Sequence, residues 1–423
     1  MDFGSVLLMF VVLLVLARLG SRVFARFGIP GLIGEILVGV AVANLAIGDW
    51  SLMAMLDIEM TSFNDNYQII LLFAEFGVIF LLFSIGLETK VDELMSVGKA
   101  AMLVAVMGVL LPLTMGILFT ELIGENLHVA VFMGVAMVAT SVGVTARVIK
   151  DMGFLDTKES RIIIGAAIID DILGMVILAL AIGLVSGSGD FEVKHLLLLS
   201  LAAVAFVLIT MFSAKYLVPR IHDRLKERSD AKAANDNGYK PNFNKLLLAL
   251  VICLAFSWMA DFIGLAAIIG AFLGGMLIAE YAVGWKLDFK VESIMTLFLS
   301  FFFLNVGMQI DLAQCANWTV VGLSIAVVAI AVFSKYVGCS LGARFGDKTL
   351  DKTSAGIIGI GMIPRGEVGI IVATYGLQHG VLSMEIYTVL IVMAVATTII
   401  APSLLSSRFM CKYPLECDPH PRL

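Results

Sequence analysis

The chain has 423 residues, of which 60% are apolar and only 15% charged, with a formal net charge of −6 and a mean hydropathy of +1.01. A water-soluble core cannot hide that much apolar surface, so the chain must use lipid as solvent, with no room for a soluble domain of ordinary size. At about 20 apolar residues per crossing, its length suits about a dozen spans.

Apolar runs of spanning length predict thirteen helices. The first, 4–25, has no basic residue before it and is followed by Arg18, Arg22 and Arg26, so it reads as a span with its N-terminus outside rather than a cleaved signal peptide. The second, 29–48, holds the glycine-rich string LIGEILVGVAVAN (Leu32–Asn44) with Glu35, and the third, 67–87, holds Glu75 and closes on FLLFSIGLE (Phe80–Glu88). Those two acids either line a cavity or hydrogen-bond between helices. The fourth span, 98–121, precedes a fifth, 127–149, that GVAMVATSVGVTA (Gly134–Ala146) interrupts with small and polar residues. Thr140, Ser141 and Gly143 lie at mid-depth, where hydroxyls and freed carbonyls are hard oxygen ligands for a small cation. By themselves hydroxyls are weak signals, because in membranes they more often bond the preceding turn.

The sixth span, 161–186, carries adjacent aspartates, Asp170 and Asp171, roughly 15 Å deep at 1.5 Å per residue. An ionised group there costs at least about 2.5–3.5 kcal/mol on the insertion scale, so each needs a partner or a task. Neighbours on a helix point about 100° apart; one aspartate can face a cavity while the other faces protein. The seventh span, 194–219, runs into a polar stretch, Lys226–Asn242, that reads as a cytoplasmic linker.

The eighth span, 243–260, is followed by a ninth, 262–282, with IIGAFLGGMLIAE (Ile268–Glu280), and a tenth, 292–310, with FFFLNVGMQ (Phe301–Gln309). The eleventh, 317–343, holds Lys335, the natural partner of one aspartate. The twelfth, 353–378, is interrupted by GIGMIPRGEVGII (Gly359–Ile371), where Pro364 removes a backbone donor and Gly366 loosens the helix. Its Arg365 and Glu367 either neutralise each other as a structural bridge or touch the ion, and a guanidinium also complements exposed carbonyls. The thirteenth, 383–407, ends the membrane part.

Apart from Lys194, and Lys335 and Arg365 inside spans, the basic residues fall on one side, which sets the N-terminus outside and the C-terminus in the cytoplasm of a plasma (inner) membrane. The glycine strings of spans 2 and 9, the phenylalanine strings of 3 and 10, and the interruptions of 5 and 12 recur in the same order. Six spans, one connector and six more make the second half enter from the opposite side, an inverted repeat with a midplane ion site. Five scattered cysteines without C-x-x-C spacing suggest neither disulfide nor zinc, and the histidines form no constellation.

The strings ATSVGVTARV (Ala139–Val148), AAIIDDILG (Ala166–Gly174), SKYVGCSLGARFG (Ser334–Gly346) and GMIPRGEVGIIVA (Gly361–Ala373) resemble the monovalent cation/proton antiporter-2 family, in its double-aspartate sodium/proton branch. The resemblance implies an all-α membrane homodimer of inverted six-helix repeats with two crossing broken helices. It assigns residues 1–97 and 243–312 to a dimerisation domain and 98–193 and 313–410 to a mobile core, joined by 194–242 and followed by a tail, 411–423. It implies that Asp171 binds cation or proton, that Asp170 pairs with Lys335 when no sodium is bound, and that Thr140 and Ser141 mark the crossing point. Potassium-efflux relatives usually carry glutamine at the position of Asp170 and append a nucleotide-binding domain, so sodium or lithium is favoured over potassium.

The expected activity is therefore sodium/proton antiport by elevator-type alternating access, electrogenic, with ion and proton competing for Asp171. No enzyme chemistry, cofactor or nucleic acid is expected; the partners are lipid, monovalent cations and a second copy. A potassium/proton antiporter, a cation channel and a sodium-coupled solute symporter are the rival readings.

Overall fold

The computed structural model describes residues 3–27, 29–47, 50–58, 64–186, 193–217, 245–285, 287–313 and 317–413. Long elements are helical because lipid supplies no hydrogen-bond partners, and a helix satisfies its own backbone. In chain order they are α1 (Phe3–Arg26), α2 (Gly31–Asn44), α3 (Leu52–Met55), α4 (Asp65–Glu88), α5 (Val91–Ser96), α6 (Gly98–Leu122), α7 (Leu127–Val138), α8 (Val142–Asp151), α9 (Lys158–Ser186) and α10 (Val193–Phe212). There follow α11 (Lys245–Phe262), α12 (Ala267–Leu277), α13 (Ala279–Trp285), α14 (Leu287–Met308), α15 (Trp318–Gly346), α16 (Lys352–Gly361), α17 (Glu367–Gln378) and α18 (Met384–Lys412).

Among the described residues, eight helical segments are long and apolar enough to cross a membrane, and four shorter apolar helices accompany them. The chain is thus an all-helical, multi-pass membrane protein, apart from a two-residue hairpin that pairs Ala46 with Ser51 and Ile47 with Trp50.

Helix limits differ from the sequence reading where turn chemistry decides. The expected ninth span, 262–282, begins late because Gly264 takes a positive φ of 86° and turns the chain after α11. It then splits at Ile278, whose N–H bonds Gly275 O in a tightened turn. The sixth starts at Lys158 rather than 161. The expected linker 226–242 and the side chains of Lys194 and His195 lie outside the described residues.

The chain divides into two compact units, residues 1–74, 97–191 and 300–423 in one, and 75–96 and 192–299 in the other. In the first, α2 and α14 touch through glycines: a Cβ on Gly39 would overlap Leu304 O, and one on Gly307 would overlap Ile36 O. In the second, the same arrangement recurs, with a Cβ on Gly275 colliding with Phe83 O and one on Gly86 with Phe272 O. A third pair follows suit: a Cβ on Gly34 would strike Gly20 O, and one on Gly270 would strike Phe256 O. Small residues let membrane helices approach closely enough for backbone packing, which substitutes for the missing hydrophobic drive between helices. Gly307→Ala must therefore push α2 and α14 apart, at an expected cost of about 1–3 kcal/mol. A lowered melting temperature in detergent checks this, with Gly322→Ala as the control, since Gly322 has open space around it.

At the basic end of α18, an ion-pair staple ties three segments of the first unit together. Glu159, almost fully buried at the start of α9, accepts from Lys412 Nζ at 2.6 Å, Ser354 Oγ at 2.6 Å and Tyr413 OH at 3.0 Å. Lys412 also reaches Asp351 at 3.0 Å, and Lys158 pairs with Asp347 at 2.5 Å. The Lys158 ammonium holds the Asp347 carboxyl down to about 2, and the Ser354 hydroxyl, then Lys412, do the same for Asp351. Because both folded-state values lie below the ordinary 3.8, the staple's contribution is complete above about pH 4–5 and disappears as pH falls toward 2. A melting-temperature series from pH 7 to pH 3 should show that acid loss, and a Lys158→Ala/Lys412→Ala variant should show less of it.

Candidate functional site

Two helix breaks lie against each other in the first unit. Between α7 and α8 the backbone leaves the helix at Ala139 (φ −57°, ψ 134°) and re-enters after Ser141. Between α16 and α17 it runs non-helically from Met362 to Gly366, since Pro364 cannot donate and opens the turn. Ser141 N–H donates to Pro364 O at 2.8 Å. Thr145 Oγ1 donates to Gly361 O at 2.6 Å. Gly366 needs its missing side chain, because a Cβ there would sit 2.7 Å from Ser141 Oγ.

Each first half-helix ends in carbonyls that lack intrahelical partners, the negative end of its dipole. A buried cation meets each of them. Lys335 Nζ, from the middle of α15, donates to Val138 O at 2.7 Å, the last residue of α7. Arg365 Nη1 donates to Met362 O at 3.2 Å and Ile363 O at 3.1 Å, just past the end of α16. Both side chains have no solvent exposure.

Lys335 Nζ also pairs with Asp170, at 3.0 Å from Oδ1 and 3.3 Å from Oδ2. Asp170 is buried, whereas Asp171, one residue on and turned about 100° around α9, is only half-buried. The structure thus brings together Asp170, Lys335, and through Val138 the first break. It joins Thr140–Ser141 to the second break. Thr140 Oγ1 is buried and accepts or donates no hydrogen bond among the described residues, as is true of Arg365 Nε and Nη2. Arg365 thus complements exposed carbonyls, as a guanidinium can; its expected bridge partner Glu367 has its side chain outside the described residues.

Sequence reasoning missed the residues that hold the second break in place. Thr397 Oγ1 accepts the Arg365 N–H at 3.1 Å, and Thr398 Oγ1 donates to Arg365 O at 2.6 Å. A threonine pair at mid-span in α18 was the available signal. Gly108 on α6 was also missed: a Cβ there would come 2.6 Å from Cys339 Sγ and 3.6 Å from Lys335 Nζ. Glu35 is buried with Ser300 Oγ 3.5 Å away, and Glu75 is exposed on α4; neither belongs to the Asp170–Lys335 cluster. No group of three or more metal-ligating His, Cys, Asp or Glu side chains occurs among the described residues.

Comparison with known proteins agrees with this architecture. The profile of the family described as sodium/hydrogen exchanger, transmembrane, matches residues 10–411. A Na(+)/H(+) antiporter of Enterococcus hirae is 31% identical over 406 residues, covering 96% of this chain and 97% of that protein. The Na(+)/H(+)-K(+) antiporter GerN of Bacillus cereus is 30% identical over 403 residues, 95% of each. Among solved structures, the sodium proton antiporter MjNhaP1 of Methanocaldococcus jannaschii superposes with a TM-score of 0.65 over 98% of this chain and 99% of that one, at 16% identity, a likeness of fold. A match spanning nearly every helix, together with relatives aligned end to end, makes this chain a member of the sodium/hydrogen exchanger family of membrane transporters.

Proposed function

We propose that the chain exchanges sodium, or lithium, for protons, with both competing for Asp171. The carrying observation is the arrangement of the two aspartates: Asp170 is neutralised by Lys335, while its neighbour Asp171 points elsewhere and retains solvent exposure. On this reading the half-buried carboxylate of Asp171 takes the transported ion, and Asp170 joins it when Lys335 lets go. The Thr140 hydroxyl, buried and without a partner among the described residues, is a ready oxygen ligand beside the break, and Ser141 and Asp170 complete the proposed cation site. No cofactor is required, because the only chemistry is exchange of one cation for another.

The finer architecture belongs to the same proposal. Thirteen spans in two inverted six-helix repeats are supported by the matched glycine contacts. Gly39 and Gly307 in one unit correspond in the aligned strings to Gly275 and Gly86 in the other, and each Cβ would strike the equivalent carbonyl. The breaks at Ala139–Ser141 and Met362–Gly366 fit the same pairing. On this reading residues 98–193 and 313–410 form a core that slides against a dimerisation domain made of 1–97 and 243–312, in a homodimer. The N-terminus is outside and the C-terminus cytoplasmic, in the plasma membrane, and the chain falls in the double-aspartate branch of the antiporter-2 proteins. Sodium binding that frees Lys335 from Asp170 would let a second proton move, making exchange electrogenic.

Potassium/proton exchange is the second reading, favoured by the relative whose name includes potassium. Fluorescence dequenching in acid-loaded proteoliposomes distinguishes the readings. Alkalinisation by sodium and lithium but not potassium is the expected result. Equal responses to potassium favour the second reading, and cation flux without proton movement overturns antiport.

A further inference from the structure

The first unit holds a second feature that the ion site does not use. A groove of about 860 Å³ runs between α15 and α18, within the size range of small-ligand pockets. One wall is a row along α18, Val392, Ala396, Ile400, Leu404 and Arg408, each four residues from the next and so winding gradually around the helix. At 1.5 Å per residue the row is about 24 Å long, most of the hydrocarbon thickness of a bilayer. The other wall comes from α15, including Ile325, Val332 and Tyr336, and the floor is Ile360 and Ile363.

Besides the Tyr336 hydroxyl, two polar features sit in this apolar trough. Arg408 closes one end, exposed and without a hydrogen bond or ion pair among the described residues. Ser324 lines the groove with its hydroxyl buried and unpartnered among the described residues. A long apolar channel capped at one end by an uncommitted cation is complementary to an amphiphile with an anionic head. At this end Lys412 is engaged by Glu159 and Lys158 by Asp347, whereas Arg408 lies on the groove itself.

We propose that this groove is a resident-lipid site for one anionic phospholipid, its acyl chains lying along α15 and α18 and its phosphate on Arg408. The lipid backs Ile363, which is part of the second helix break and whose carbonyl accepts Arg365 Nη1. Bound lipid thereby limits outward movement of that break without touching the aspartates.

The test uses full-length protein stripped of lipid in detergent and titrated with dioleoylphosphatidylglycerol or dioleoylphosphatidylcholine. Melting temperature and native mass spectrometry report binding. The wild type should retain phosphatidylglycerol more tightly, and Arg408→Gln should weaken that lipid alone by about fivefold, the effect of one basic residue at a membrane surface. Ala396→Phe, which fills the groove, should reduce retention of both lipids; should it fail to fold, Arg408→Gln decides. Equal binding of the two lipids by wild type, or an unchanged preference in Arg408→Gln, overturns the proposal. A change of oligomeric state in Ala396→Phe with lipid retention intact also overturns it, in favour of a second copy of this chain as occupant.

Discussion

Asp171→Asn should reduce sodium-driven proton flux to the level of protein-free liposomes while leaving the protein folded. An amide keeps the volume and hydrogen-bonding capacity of the carboxylate but can neither carry a titrating proton nor neutralise a cation at mid-membrane. Asp171 is half-buried, unlike the fully enclosed Asp170, so removing its charge disturbs the protein interior less than the same change at Asp170. Melting should therefore move little. The measurement is dye dequenching in proteoliposomes with sodium, lithium and potassium pulses beside a melting curve of the same preparation. Retained sodium-driven flux at wild-type rate would exclude Asp171 as the ion site.

Asp170 should behave in the opposite way, with stability rather than transport alone as the casualty. Replacing it with Asn leaves the buried Lys335 ammonium without a counter-charge, with only neutral oxygens such as Val138 O to accept from it. Removing one partner of a buried pair costs about 3–5 kcal/mol, because the other charge is left without compensation. Lys335→Gln should cost a similar amount by stranding the Asp170 carboxylate. The double variant, Asp170→Asn/Lys335→Gln, restores neutrality and should recover most of the loss, giving a strong coupling in the double-mutant cycle. Melting temperatures of the four proteins measure it. Additive losses would mean that the 3.0 Å contact contributes nothing. In the double variant, charge movement on a solid-supported membrane should also vanish or fall to electroneutral exchange if Lys335 is the group that makes transport electrogenic.

The membrane class, the site of the helix breaks and the residues of the charge cluster were legible in the chain because lipid punishes exceptions. An apolar run with Asp170 and Asp171 in it, or with Pro364 and Gly366 in it, has few ways to be tolerated. Arg365 was less legible. Which carbonyls it reaches depends on rotamer and on the path of the chain through the break, which no local pattern encodes. Thr397 and Thr398 were invisible for the same reason: hydroxyls in membrane helices ordinarily bond their own preceding turn, as these also do to Met393 and Ala394, so their grip on Arg365 appears only when α17 and α18 are packed.

Helix limits failed where glycine or a turn intervened. Gly264 and Ile278 shortened and split the ninth span, since hydropathy measures solubility in lipid and is blind to φ. Conversely, the repeated glycine strings carried more than composition. Read in the chain only as a sign of repetition, they lie where helix backbones touch, at Gly39 with Leu304 and at Gly275 with Phe83.

By itself, then, the sequence determined the solvent, the helical class and which side chains are too polar for their depth, because transfer free energies act on each residue wherever it later packs. The residues alone left open which aspartate Lys335 takes, a choice that the resemblance implied and the tertiary structure shows, and only the tertiary structure decided which carbonyls receive Arg365 and where a groove opens between α15 and α18. Those outcomes depend on directions and distances between helices remote in the chain, and the energy of an ion pair or a hydrogen bond exists only once both partners have been brought within about 3 Å.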